Sequence, residues 1–149
     1  MKKYDLLRND GSIIRVLEIQ RDRVLIIDCI KRTMPVWMEL VALEPYAEIT
    51  SDELSKTTGV TLADVDAMDA DQRKIMYGRY TMIAPIVSFV SDDRMRSKLI
   101  CSVATEHGVS KATVRIYLCL YLTYMDMVAL ASKRREDDRQ LTQDEKHMR

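Results

Sequence analysis

The stretch that most limits the fold is residues 100–121, ICSVATEHGVSKATVRIYLCLY, because it predicts two helices joined by a sharp turn. Ala104 is small enough to lie where two helices approach closely, and Gly108 can take a positive φ without a Cβ clash. Ser110 follows as the expected N-cap of the second helix. Val114, six residues beyond the glycine, is expected to point back toward Ala104. This spacing is typical of a helix-turn-helix.

The second predicted helix leaves an outward face that suits DNA. Cationic side chains can reach guanine edges in the major groove, small residues allow close approach, and hydroxyls at a helix N-terminus can meet phosphate. A solvated helix pair in another kind of helical protein is the alternative, and the combination of hydroxyls with cations favours DNA. The candidate DNA contacts are Ser110, Lys111, Ala112, Thr113, Arg115 and Ile116 on the second helix, with Arg94, Arg96 and Lys98 on the first helix as phosphate contacts.

Local charge distinguishes residues 100–121 from an earlier stretch that has the same spacing of glycine and valine. Residues 54–68 also place Gly59 six residues before a valine, Val65. However, residues 39–71 contain nine acids and one base, whereas residues 94–125 contain five bases and one acid. Because an acidic surface repels phosphate, only the later stretch is predicted to bind nucleic acid, and the earlier one is interpreted as a helical connector.

The composition excludes several classes of protein. With 149 residues, 47% of them hydrophobic, and zero net charge, the chain is neither disordered nor polybasic, so any nucleic-acid contact needs segregated charge. Three cysteines without CxxC spacing are interpreted as reduced thiols. No nucleophile-base pair, metal cluster or phosphate-loop motif occurs, so no catalytic residue, metal or cofactor is predicted. No long apolar run or signal peptide occurs either, which predicts a cytoplasmic protein without a membrane partner.

We predict an α+β fold, with a small N-terminal β-meander or barrel followed by a mainly helical part that contains the helix-turn-helix. Turn signals at residues 9–11 and 20–22 separate three strands, and Trp37 is expected to plug their small core. Asp28 is interpreted as an edge or outward residue, and Ser51 as a helix N-cap. The predicted units are residues 1–45 (β unit), 46–68 (acidic helical connector), 69–131 (helix-turn-helix DNA-binding domain) and 132–149 (charged linker and start of a further helix).

Two features of the helical part leave their interpretation open. Apolar residues continue from residue 118 to residue 130, which predicts an unusually long second helix with more apolar surface than one stripe needs. That surface either packs against the rest of the chain or serves self-association. Arg73, Lys74 and Arg79 on the preceding helix are candidates for contact with the DNA backbone, but exposed cations are usually solvated, and they are interpreted as solvated side chains. Near the end, residues 142–145 form a capping box, which predicts a further helix and hence a longer parent protein.

The order of segments resembles a known family. A β unit with RVLEIQRDRVLIIDC and MPVW, an acidic connector, and ATEHGVSKATVRIYL together resemble the N-terminal region of bacterial Mu-type and TnsB-like transposases, of the DDE, retroviral-integrase-like superfamily. The resemblance implies recognition of transposon ends, with catalysis by three metal-binding carboxylates in a downstream domain that this chain does not include. It implies DNA contacts at Ser110, Lys111, Thr113 and Arg115.

Four functions therefore compete. The first is sequence-specific binding of double-stranded DNA at transposon ends, without enzymatic activity in this fragment. The second is a free-standing transcription regulator that uses the same helices. The third is a protein-interaction module, which the apolar residues 118–130 favour. The fourth and weakest is an enzyme complete within 149 residues.

Overall fold

The computed structural model describes residues 1–131, and in them the predicted α+β fold is confirmed. Five strands form an antiparallel sheet in the order β4-β3-β2-β1-β5, and four α-helices follow. The charged linker and capping box predicted after residue 131 lie outside the described residues. The elements are β1 (Leu6–Asn9), β2 (Ser12–Gln20), β3 (Arg23–Asp28), β4 (Val36–Glu39), β5 (Ala47–Ile49), α1 (Ser51–Thr58), α2 (Ala70–Val87), α3 (Asp93–His107) and α4 (Lys111–Tyr124), with short 3-10 helices at Leu40–Leu43, Val65–Ala67 and Met127–Leu130.

Tight turns join the first three strands, as the sequence predicts. Asn9 pairs with Ser12 across the first turn, and Gln20 pairs with Arg23 across the second. One residue in each turn has a left-handed backbone conformation, Asp10 in the first and Arg21 in the second. Such turns match the natural twist of the flanking strands and therefore fix the register of the meander.

The sheet buries both faces. Successive side chains of a strand point to opposite faces, so neighbouring apolar residues enter different layers. One layer, which includes Ile13 and Leu25, joins the core that α2, α3 and α4 share. The other layer, which includes Ile14 and Val24, lies under Leu43 of a 3-10 helix. The meander therefore leans on the helices, one of the two ways in which such a small β unit gains stability.

Two local predictions in this region are wrong. Trp37 lies half-buried on the outer strand β4, where the guanidinium of Arg23 is 5.3 Å from its ring; the core is filled by aliphatic residues of the central strands instead. Thr50, not Ser51, caps α1, because its hydroxyl is the one that accepts the Glu53 N–H. Asp28 ends β3, which is not an edge strand; it is half-buried, and its carboxylate accepts backbone hydrogen bonds in the exposed turn that follows.

The apolar residues after α4 pack inside the chain. The predicted long helix is wrong, because α4 ends at Tyr124 and Met125 takes a left-handed conformation. A 3-10 helix then returns along α2, and Leu122, Val128 and Leu130 are buried in the main core. The apolar surface predicted for self-association is thus largely occupied within the chain.

No helix within residues 1–131 is both long enough and apolar enough to cross a membrane.

Candidate nucleic-acid interface

The turn between α3 and α4 is built on Gly108, as predicted. Gly108 ends α3 with φ 66° and ψ 33°, a left-handed conformation that favours glycine. Its N–H donates to Thr105 O, and the N–H of Val109 donates to Ala104 O at 3.0 Å. These bonds satisfy carbonyls that the end of a helix leaves without partners. The chain therefore leaves α3 in a fixed direction and needs only residues 108–110 to begin α4.

Ser110 starts α4 as the expected N-cap. Its Oγ accepts the N–H of Thr113 at 3.1 Å and lies 3.0 Å from the Thr113 hydroxyl. Ser110 is exposed and Thr113 is half-buried. The capped end thus presents two hydroxyls held by each other, beside backbone N–H groups that give a helix N-terminus its affinity for anions.

The inner side of α4 packs in the same core as α3. Val114 and Ala104 are both buried in the main core, as their spacing predicts. Tyr117 is half-buried and lies against the guanidinium of Arg79, 4.7 Å from its ring centre. A helix held in this way has one orientation relative to the core, and its opposite side is set by that orientation.

The outer side of α4 is exposed to solvent. Lys111, Ala112, Arg115 and Ile116 are all exposed. Neither Lys111 nor Arg115 has a hydrogen-bond or ion-pair partner within residues 1–131. Ile116 is 63% exposed. This row therefore has side chains available to a partner.

The first helix contributes fewer free cations than predicted. Arg94 and Lys98 are exposed, but Arg96 is only 8% exposed. Its guanidinium donates to Val90 O and pairs with Asp93 at 3.1 Å. Arg96 therefore fastens the start of α3 to the turn before it.

Two arginines of α2 also donate hydrogen bonds within the protein. Arg73 donates to Val65 O at 3.1 Å and to Asp66 O at 3.2 Å. Arg79 donates to Leu130 O at 3.1 Å, in addition to its contact with Tyr117. The interpretation of both as solvated side chains is wrong, whereas Lys74 is exposed.

Residues 54–68, the acidic stretch with the same spacing of glycine and valine, fold differently from α3 and α4. α1 ends at Gly59 in a left-handed conformation, as α3 ends at Gly108. Residues 60–64 are not helical, and a single 3-10 turn follows. The stretch therefore offers no second helix to a partner, in keeping with its interpretation as a connector.

The turn between β3 and β4 lies against the middle of α4, which the sequence analysis missed. Met34 Sδ is 3.5 Å from Cys119 Sγ. Burial raises the pKa of the Cys119 thiol to about 11, and three guanidinium groups oppose this rise, those of Arg96, Arg32 and Arg115. The adjacent bases Lys31 and Arg32 were the available sequence signal, but nothing local indicated that they would meet α4.

No group of three or more His, Cys, Asp or Glu side chains within residues 1–131 is arranged to hold a metal ion. The comparisons with known proteins give no further direction: no protein-family model matches the chain, and no curated protein matches it.

Proposed function

We propose that α3 and α4 form a helix-turn-helix that binds double-stranded DNA, with α4 in the major groove. The observation that supports this proposal is the outer row of α4, in which Lys111 and Arg115 lie one turn apart, exposed and without a hydrogen-bond or ion-pair partner in the described residues. Ala112 and Ile116 lie between and beside them, so the row combines cations with small and apolar side chains. Arginine can pair with guanine edges, and an apolar side chain can contact a thymine methyl group.

The two ends of this surface have different roles in the proposal. Arg115, one turn into α4, reads base edges and so contributes to sequence specificity. The Ser110 end of α4, together with Lys98 of α3, meets phosphates, which positions the protein without reading sequence. Transposon ends are the proposed target, and the resemblance of the segment order to transposase N-terminal regions supports this choice.

A protein-interaction module remains the second candidate, and Ile116 is the residue that favours it. It is a large apolar side chain, 63% exposed on an outer helix face, and a protein partner can also bury such a side chain. DNA is the better-supported partner because the neighbours of Ile116 in the row are unpaired cations. The proposal includes a cytoplasmic location, in keeping with the free thiols of Cys29, Cys101 and Cys119.

Binding to a fluorescent mixed-sequence duplex, measured by anisotropy over a range of salt, tests this proposal. We expect log K to fall linearly with log salt, by about 0.9 for each phosphate neutralised. Lys98→Ala should reduce this slope by about one unit. Arg21→Asn, at the exposed turn between β2 and β3, is the matched control and should leave the slope unchanged. Failure to bind any duplex at low salt would overturn the proposal.

Sequence preference is tested separately, by selecting bound duplexes from a random library. The wild type should enrich a defined site, and Arg115→Ala should lose preference at one or two positions, at a cost of about 1–3 kcal/mol. A uniform loss of affinity over all sequences would assign Arg115 to phosphate instead of bases. If the chain bound a protein and no duplex, the interaction-module alternative would stand.

A further inference from the structure

We propose that the turn between β3 and β4, through Lys31 and Arg32, forms a second part of the DNA interface and contacts phosphates beside the groove that α4 enters. This inference rests on the proposed function of α4 and extends it to an element far away in sequence. It assigns to the sheet a part in binding as well as in supporting the helices.

The turn is held firmly against α4. Met34, three residues after Lys31, touches the buried Cys119 of α4 through sulfur, 3.5 Å apart. Within the turn, the Asp28 carboxylate accepts the N–H groups of Ile30 and Lys31, each at 2.9 Å, and the Arg32 N–H donates to Asp28 O at 2.8 Å. Three hydrogen bonds and one core contact thus fix where the two cations emerge.

The charged residues of the turn and of the helix lie on elements that meet at Cys119. Met34 of the turn touches Cys119, which follows Arg115 by four residues on α4, and Arg32 and Arg115 both oppose the rise in the pKa of that thiol. Both arginines are exposed and have no hydrogen-bond or ion-pair partner in the described part of the chain. The nearest acid along the turn, Asp28, has its Oδ1 occupied by backbone N–H groups. Two unpaired like charges held near each other repel, and an anion between them would relieve that repulsion.

The contact lies at the far end of the exposed row of α4. Lys111, Arg115 and Cys119 follow one another at intervals of four residues, and each interval advances about 6 Å along the axis. The contact between Met34 and Cys119 therefore places the turn two such intervals beyond Lys111. With the N-terminal half of α4 in the groove, we expect the turn to face the phosphate backbone beside it.

Arg32 can be changed without disturbing the backbone. It has φ 52°, a left-handed conformation that asparagine tolerates better than most residues. Arg32→Asn therefore removes the charge and keeps the turn, and Arg32→Lys keeps the charge. Arg21 offers a matched control, because it is also an exposed arginine with a left-handed conformation, φ 56°, and it lies at the opposite end of β3.

The test measures salt-dependent binding of the full chain to the mixed-sequence duplex for wild type, Arg32→Asn, Arg32→Lys and Arg21→Asn, with thermal unfolding of each to establish that it is folded. We expect Arg32→Asn to reduce the slope of log K against log salt by about 0.9. Arg32→Lys should keep the wild-type slope, and Arg21→Asn should match wild type.

The outcomes separate the inference from the function on which it rests. If Lys111→Ala and Arg115→Ala weaken duplex binding while Arg32→Asn behaves as Arg21→Asn does, α4 binds DNA and the turn does not, and this inference is overturned alone. If the wild type binds no duplex, the proposed function is overturned and the inference with it. Equal slopes for Arg32→Lys and Arg32→Asn would also overturn it, because the contact would not depend on charge.

Discussion

Replacing Gly108 by alanine tests the turn on which the orientation of α4 depends. The backbone at Gly108 is left-handed, and a Cβ built there meets no heavy atom within 4 Å. The cost is therefore conformational: about 1–2 kcal/mol for an L-residue in this region, less about 0.4–1 kcal/mol gained because alanine restricts the unfolded chain. We expect Gly108→Ala to lower the free energy of unfolding by about 1 kcal/mol.

Two other glycines provide matched controls. Gly59 ends α1 with φ 72° and also has open space around its Cβ position, so Gly59→Ala should cost about the same, roughly 1 kcal/mol. Gly78 is exposed inside α2, where its backbone is already helical, and Gly78→Ala should stabilise the protein by about 0.5–1 kcal/mol. The two left-handed sites and the helical site should thus change stability in opposite directions.

Urea unfolding followed by circular dichroism measures these differences, with equal m-values establishing that the unfolded states are comparable. Gly108→Asn should fall between wild type and Gly108→Ala, since asparagine tolerates the left-handed region. Gly108→Ala with stability equal to or above that of wild type would refute the left-handed turn. Because Gly108 lies in the turn that leads into α4 and Gly59 does not, we expect the Gly108 alanine variant, and not that of Gly59, to lower duplex affinity.

Three further predictions concern the core. Arg15 is buried and donates to Thr123 O at 2.9 Å and Tyr4 O at 2.7 Å, so Arg15→Met should cost about 2 kcal/mol in urea unfolding by leaving these carbonyls unpaired; a loss of only a few tenths would contradict this. In the native protein, iodoacetamide should alkylate the exposed Cys101 first, because burial raises the pKa of Cys29 to about 12 and that of Cys119 to about 11. Mass spectrometry that finds equal labelling of all three thiols would refute the burial of Cys29 and Cys119. Since the pKa of Cys29 is higher in the folded than in the unfolded state, the free energy of unfolding should decrease as the pH rises from about 9 toward 12, and Cys29→Ser should show a shallower decrease.

Local sequence signals predicted the features that neighbouring residues determine. The conformation of Gly108 and the cap at Ser110 depend on hydrogen bonds within a few residues. The turns of the meander depend on short-range backbone preferences in the same way. These features do not require knowledge of which segments meet in space, so glycine, serine and alternating apolar residues were sufficient.

Features that depend on distant contacts could not be predicted in this way. The apolar run after Leu118 was interpreted as a continuing helix, but Met125 breaks the helix without being glycine, and the following residues pack on α2. Periodicity does not reveal such a break, because the side chains remain apolar on both sides of it. Nor does it place the turn between β3 and β4 against α4, since that contact requires the sheet to pack on the helix.

The distinction between structural and available cations follows from their hydrogen bonds. Counting charge over residues 94–125 gave Arg96 the same weight as Arg115, yet Arg96 already pairs with the Val90 carbonyl and Asp93. To reach a phosphate, Arg96 would have to leave the part-buried Val90 carbonyl without its partner, and a buried unsatisfied group costs about 1–3 kcal/mol. A phosphate contact at the surface would have to offset this cost before it contributed any affinity. Within residues 1–131, Arg115 has no such bond to break, so an anion that approaches α4 gains from it without disturbing the fold.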